Sequence, residues 1–174
     1  PGATSAGARI RSLLLDPATG PLAPRAEAML YAADRAHHVA EVVRPALDRG
    51  AVVVTDRYVD SSIAYQGAGR ELAVEEVARL SRWATDGLRP DLVVLLDVDP
   101  VVGLKRAGDA PDRMESESLD FHRRVRQGFL DLAEDDPERY LVVSADQAPE
   151  AVLAAVQARL TELLPAAMPV PVSS

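Results

Sequence analysis

Residues 51–70 read AVVVTDRYVDSSIAYQGAGR. The first five, Ala51–Thr55, are apolar without alternation, the pattern of a strand in a parallel sheet covered on both faces. Asp56 and Arg57 follow at once, at the carboxyl end of that expected strand, where open α/β sheets bind ligands. An arginine there can hold a phosphate through two parallel charge-assisted bonds, and an adjacent aspartate can steer a metal-bound water. An Asp helix cap beside a surface Arg would read the same way in isolation, so the flanking sequence has to separate the two.

On either side the same organisation continues. Leu92–Asp97 (LVVLLD) and Tyr140–Ser144 (YLVVS) are two more short apolar runs that read as buried strands. Between them lie segments with helical spacing. Ala6–Leu15 sets Ile10, Leu13 and Leu14 on one stripe, and Pro24–Asp48 is a long helical stretch, expected to bend or divide near Pro45. Val74–Asp86 carries Val77, Leu80 and Trp83 at helical intervals. Ser118–Glu134 opens on a Ser cap, and Pro149–Leu164 on a Pro suited to a first turn. This alternation predicts an α/β sandwich with right-handed crossovers. It forms one domain over residues 1–164, and the Pro- and Ser-rich end PAAMPVPVSS, residues 165–174, reads as a tail or linker.

Composition narrows the function. The 174 residues are 48% hydrophobic and 26% charged, with a net charge of −8. That charge argues against binding a nucleic-acid polymer, which needs a basic field over many phosphates. It leaves room for a small anionic ligand held by a few clustered arginines. There is no cysteine, hence no disulfide, no thiolate nucleophile and no Cys-based metal site, which suits a reducing cytoplasm. No apolar run reaches the roughly 20 residues of a membrane span. His37, His38 and His122 show no metal-ligand spacing and read as surface or packing residues.

Four segments together carry a family resemblance. Thr55–Arg70 is similar to the motif after the third strand of thymidylate kinases, in its bacterial form. Glu27–His38 (EAMLYAADRAHH) resembles the family's dTMP base-binding helix. Asp112–Phe129 (DRMESESLDFHRRVRQGF) is similar to the segment that leaves the phosphate-covering lid, and Ser144–Val152 (SADQAPEAV) to the loop beside the adenine. Pro1-Gly2 resembles the end of an Arg-Glu-Pro-Gly motif. The resemblance spans about residues 1 to 164, in order.

It implies a P-loop nucleotide kinase fold, a three-layer α/β sandwich with a parallel sheet, and transfer of the γ-phosphoryl of ATP to dTMP. Carried over by position, it makes Tyr31 the aromatic that stacks on thymine and Arg35, one helical turn on, the donor to the base edge. Arg11 and Arg57 hold the dTMP phosphate. Ser62 and Gln66 contact the thymine edge, and Tyr65 lies under the sugar, where its bulk opposes a 2′-hydroxyl. Asp56 orients the magnesium shell through water. Arg106 and Arg113 flank a short lid and neutralise the transferred phosphoryl group, an arginine role worth ~10³–10⁵ in rate. Gln147 sits beside the adenine. The resemblance further implies a cytoplasmic homodimer, formed through the helices around Glu27–Leu47 and Tyr58–Gly69.

No Gly-x-x-x-x-Gly-Lys-Ser/Thr loop occurs in these residues, so nothing in them cradles the ATP phosphates. The resemblance places that loop, with the first two of five parallel strands, ahead of Pro1, and its first strand between Ala51–Thr55 and Leu92–Asp97. The 174 residues alone are therefore expected to be inactive and poorly stable. A non-catalytic deoxynucleotide-binding module, or a sister nucleoside or nucleotide kinase, is the alternative reading.

Overall fold

The computed structural model describes residues 2–107 and 112–164. The chain runs through α1 (Ser5–Leu15), α2 (Pro24–His38), α3 (Arg44–Asp48), α4 (Val59–Ser62) and α5 (Val74–Ala84) into β1 (Val93–Asp97). Then come α6 (Pro100–Ala107), α7 (Leu119–Asp135), β2 (Tyr140–Ser144) and α8 (Pro149–Leu163). The two strands pair in parallel, from Val93 opposite Tyr140 to Asp97 opposite Ser144. Their connection carries α6 and α7, as a parallel pair requires a long crossover. The α/β class and the parallel pairing follow the sequence expectation.

Ala51–Thr55 does not. It was expected as a third strand, but it carries no ladder, and among the described residues the sheet has two strands. A strand needs a partner ~4.8 Å away. Between this segment and β1 lies instead an apolar cleft of about 940 Å³, walled by residues 52–58 on one side and 92–98 on the other. Val54 is consequently 89% exposed and Leu96 51%. The continuous apolar run records what the segment is suited to bury, and none of the described residues covers it.

The helices start where the sequence caps them. Thr4 Oγ1 accepts from the Gly7 amide at 2.9 Å, and Ser118 Oγ from the Phe121 amide at 3.2 Å. Pro24 and Pro149 occupy the first turns of α2 and α8, where a missing N–H costs nothing. The long stretch ending at Asp48 is α2, a π-helical turn over Val39–Val43, and α3. The wider turn immediately precedes Pro45, whose absent donor breaks the regular ladder.

A second π-helical segment, Ile63–Gly69, continues α4 and packs beneath α7. Small residues let the two approach closely. A Cβ on Gly69 would stand 2.7 Å from Phe121 Cε2 and 2.8 Å from Val125 Cγ2, and one on Gly128 2.8 Å from the Ala68 Cβ. Ala64, Met114, Phe121 and Val125 form the core there, with Leu15, Tyr65 and Phe129 against it. Ala64, Gln66, Gly67 and Gly69 are thus buried. Of the expected lid between Arg106 and Arg113, residues 108–111 lie outside the described residues, as does the tail at 165–174.

Candidate functional site

The expected acceptor residues come from four elements, of which the 55–58 turn and the Ile63–Gly69 segment put Asp56, Arg57 and Tyr65 on the cleft. Arg57 follows the unpaired 51–55 segment in the left-handed region, φ 67°. A non-glycine residue there is uncommon and costs of order 1–3 kcal/mol, a kind of strain that clusters at functional sites. The turn aims the guanidinium over the ring of Tyr65, 5.1 Å from its centroid. Burial alone would lower the Arg57 pKa, but Tyr65 and Asp56 raise it further, so the cation is held firmly charged. Asp56 is exposed beside it, and both line the cleft. Tyr65 meets Phe121 and Phe129 edge-on at 6.0 and 6.2 Å, an aromatic floor that fixes its ring.

Helix α2 supplies Tyr31 and Arg35. Burial, then the charge of Glu27, pushes the Tyr31 phenol up to about 12, and Arg113, Asp112 and Arg57 also act on it. Tyr31 therefore stands among the groups that the sequence assigns to base, phosphate and lid. Arg35 is 9% exposed. Its Nη1 donates to Ser62 Oγ at 2.8 Å, and its guanidinium lies 5.6 Å over the Tyr58 ring. Burial lowers its pKa, though a guanidinium remains charged in proteins. Arg11, on α1, is exposed and lies against Gly2, where a Cβ would approach its Cδ to 2.9 Å.

Other expected positions have partners inside the fold. Gln66 is 1% exposed and spends its amide on Glu27, Nε2 to Oε1 at 3.1 Å. Arg113, expected to reach the transferred phosphoryl group, turns inward. Its Nε donates to the Leu14 carbonyl at 2.6 Å and its Nη2 to Glu27 Oε2. The physical reason is that carboxylate, which is fully buried and cannot remain charged without cationic donors. Arg106 and Gln147 both bond to the turn at the carboxyl end of β2. Arg106 donates to the Ala145 carbonyl at 3.0 Å and pairs with Asp146 at 3.2 Å, while Gln147 donates to the Ser144 carbonyl at 3.4 Å.

Two groups escaped the sequence reading. Glu27 was legible only as the first residue of a helical match. Folding alone shows that it gathers Gln66, Arg70 and Arg113, because its partners are 39 to 86 residues away. Burial pushes the Glu27 carboxyl up, but its bonds to Arg70, Arg113 and Gln66 outweigh that and hold it below its ordinary value. Asp97, at the carboxyl end of β1, takes a bidentate bond from Arg126 at 2.6 and 2.8 Å. Those bonds hold its carboxyl below the usual range. The end-of-strand position was the available signal for it.

Among the described residues, no three His, Cys, Asp or Glu side chains form a metal-binding group. Asp56 is a lone exposed carboxylate, and that donor set fits a magnesium ion held mainly by waters and phosphate oxygens rather than by a protein cage. No helix among the described residues is long and apolar enough to cross a membrane.

The family profile described as thymidylate kinase matches residues 1–156. A thymidylate kinase of Bifidobacterium longum (strain DJO10A) is 55% identical over 166 residues, covering 94% of this chain and 81% of its own length. One from Clavibacter michiganensis subsp. michiganensis is 57% identical over 169 residues, with 95% and 80% covered. One from Cutibacterium acnes is 56% identical over 164 residues, with 94% and 80% covered.

Proposed function

From its membership of the thymidylate kinase family, and hence of the nucleoside-monophosphate kinases, we propose that this chain builds the dTMP side of the transfer from α1, α2 and the 55–70 segment. Tyr31 stacks on the thymine, a contact worth ~1–3 kcal/mol by analogy with other base–aromatic pairs. Arg35 donates to the base edge. A guanidinium has five N–H donors and Ser62 takes one, so this buried side chain has donors to offer a ligand. That is the observation on which the reading chiefly rests. Ser62 and Gln66 support the base site from behind, Ser62 bonded to Arg35 and Gln66 to Glu27. Tyr65 carries the sugar, and its ring also orients Arg57.

Arg57, with Arg11, holds the dTMP phosphate. An oxygen of that phosphate attacks the γ-phosphorus of ATP, the bond to the β–γ bridging oxygen breaks, and ADP departs with the electron pair. Positioning and charge neutralisation supply most of such catalysis. Arg57 supplies positive charge on the acceptor side. Magnesium, held through Asp56 and water, would screen the ATP phosphates. Arg106, exposed beside the 108–111 connection, is the better candidate for the transferred group, with Arg113 acting from behind through Glu27. Gln147 borders the adenine.

The same proposal extends to the whole enzyme. A further strand occupies the cleft between the 51–55 segment and β1, and a Gly-Lys-Ser/Thr loop beyond these residues holds the ATP phosphates. The 174 residues by themselves bind dTMP and transfer nothing. The enzyme works in the cytoplasm as a homodimer, with Met29 on the outer side of α2, 59% exposed, a natural contact. The substrate assignment is tested by calorimetric titration of dTMP against dCMP and dGMP. Preference for dTMP is expected, and equal affinity for all three would end the assignment.

A further inference from the structure

We infer that Glu27 is a positioning residue for phosphoryl transfer: through Arg70, Arg113 and Gln66 it fixes the helix carrying Tyr31 and Arg35 against the segment leaving the 108–111 connection. The inference rests on the acceptor-site reading above and deepens it.

The carboxylate is fully buried and accepts four hydrogen bonds. Oε1 takes Gln66 Nε2 and Arg70 Nε, each at 3.1 Å. Oε2 takes Arg70 Nη2 at 3.0 Å and Arg113 Nη2. Those four saturate the lone-pair sites of a carboxylate. The donors arrive from the end of the Ile63–Gly69 π-helical segment and from the residues just before α7. Arg113 adds α1, because its Nε and backbone amide donate to the carbonyls of Leu14 and Leu15 at 2.6 and 3.1 Å. Arg70 adds Glu117, Nη1 to Oε1 at 2.5 Å. One side chain thus ties together the elements that bear Arg11, Tyr31, Arg35 and Tyr65.

Charge bookkeeping supports the same role. Glu27 and Glu117 offset Arg70 and Arg113 within the cluster. Neither guanidinium is then left as a competing anchor for the dTMP phosphate, whose site is set by Arg57. Neutralising Glu27 would leave two buried cations facing one carboxylate, and those cations would turn toward the nearest anion, which during turnover is the substrate.

The test is steady-state kinetics of the full-length enzyme carrying Glu27→Gln, Arg113→Lys or the paired change Glu27→Met with Arg113→Met. The paired change replaces a buried ion pair by apolar groups, which is often tolerated by the fold. Positioning predicts a rise of about ten- to hundredfold in the dTMP KM, with the ATP KM unchanged. A purely structural role would shrink the folded fraction, lowering kcat while leaving both KM values alone, and that result in all three variants overturns the inference. Arg35→Met is measured alongside. An unchanged dTMP KM in Arg35→Met would overturn the acceptor-site reading and this inference with it. A raised value there, with the Glu27 variants at the wild-type value, overturns this inference alone.

Discussion

Arg57 and Arg35 are both arginines of the proposed acceptor site, yet the protein prepares them differently. Arg35 is sunk into the fold and rests on a hydroxyl and an aromatic face, so it suits an uncharged base edge. Arg57 stands exposed on a strained turn, its guanidinium over the Tyr65 ring, so its charge remains open to a phosphate. The difference separates the two halves of the ligand. Arg57→Ala should weaken dTMP binding by about 1.5–3 kcal/mol, the worth of a hydrogen bond to a charged group. Thymidine, which lacks the phosphate, should bind the variant as it binds the wild type. Paired titrations of the nucleotide and the nucleoside measure this, and equal losses for both would show that Arg57 serves the base or the fold instead.

Helix α7 and the Ile63–Gly69 segment are the elements that set the floor of the site, and glycine sets their separation. Gly69→Ala would drive a methyl group to 2.7 Å from Phe121 Cε2 and 2.8 Å from Val125 Cγ2, both fixed core side chains. Overpacking of that kind typically costs ~1–3 kcal/mol, and because Phe121 touches Tyr65 the displacement should also weaken dTMP binding. A lowered urea midpoint with an unchanged slope is the expected signature. This contact shows where sequence reading stops. Helix spans, caps and the strands at Val93–Asp97 and Tyr140–Ser144 were legible, because Ser118, Pro24 and Pro149 act locally and the two apolar runs pair with each other. That Tyr31 would lie near Arg35 and Arg57 was legible through motif order. That Gln66 and Arg113 serve a buried carboxylate was not, since nothing local to Glu27 announces that it will lose all contact with water. The two π-helical turns were equally hidden, although Pro45 marked the site of the first.

At the scale of the whole molecule the cleft between β1 and the 51–55 segment dominates. A sheet edge with free N–H and C=O groups invites pairing, and here apolar side chains accompany that edge. Leu96 on β1 and Val52 and Val54 on the opposite wall are all about half exposed or more, while Val156 and Leu160 of α8 line the same space. Buried apolar surface contributes ~25 cal/mol per Å², and each buried backbone group left unpaired costs ~1–3 kcal/mol. A strand inserted between Val93–Asp97 and Ala51–Thr55 would cover the first and pair the second on both sides. The proposed insertion can be measured by amide hydrogen exchange. The 174 residues alone should exchange rapidly at 52–55 and along the free edge of β1. The same chain preceded by the strand–loop–helix–strand unit of a homologous thymidylate kinase should protect both, melt at higher temperature, and release ADP when given ATP and dTMP. Slow exchange at 52–55 in the shorter chain would mean that the segment already has a partner, and the cleft would then be a ligand space rather than the seat of a strand.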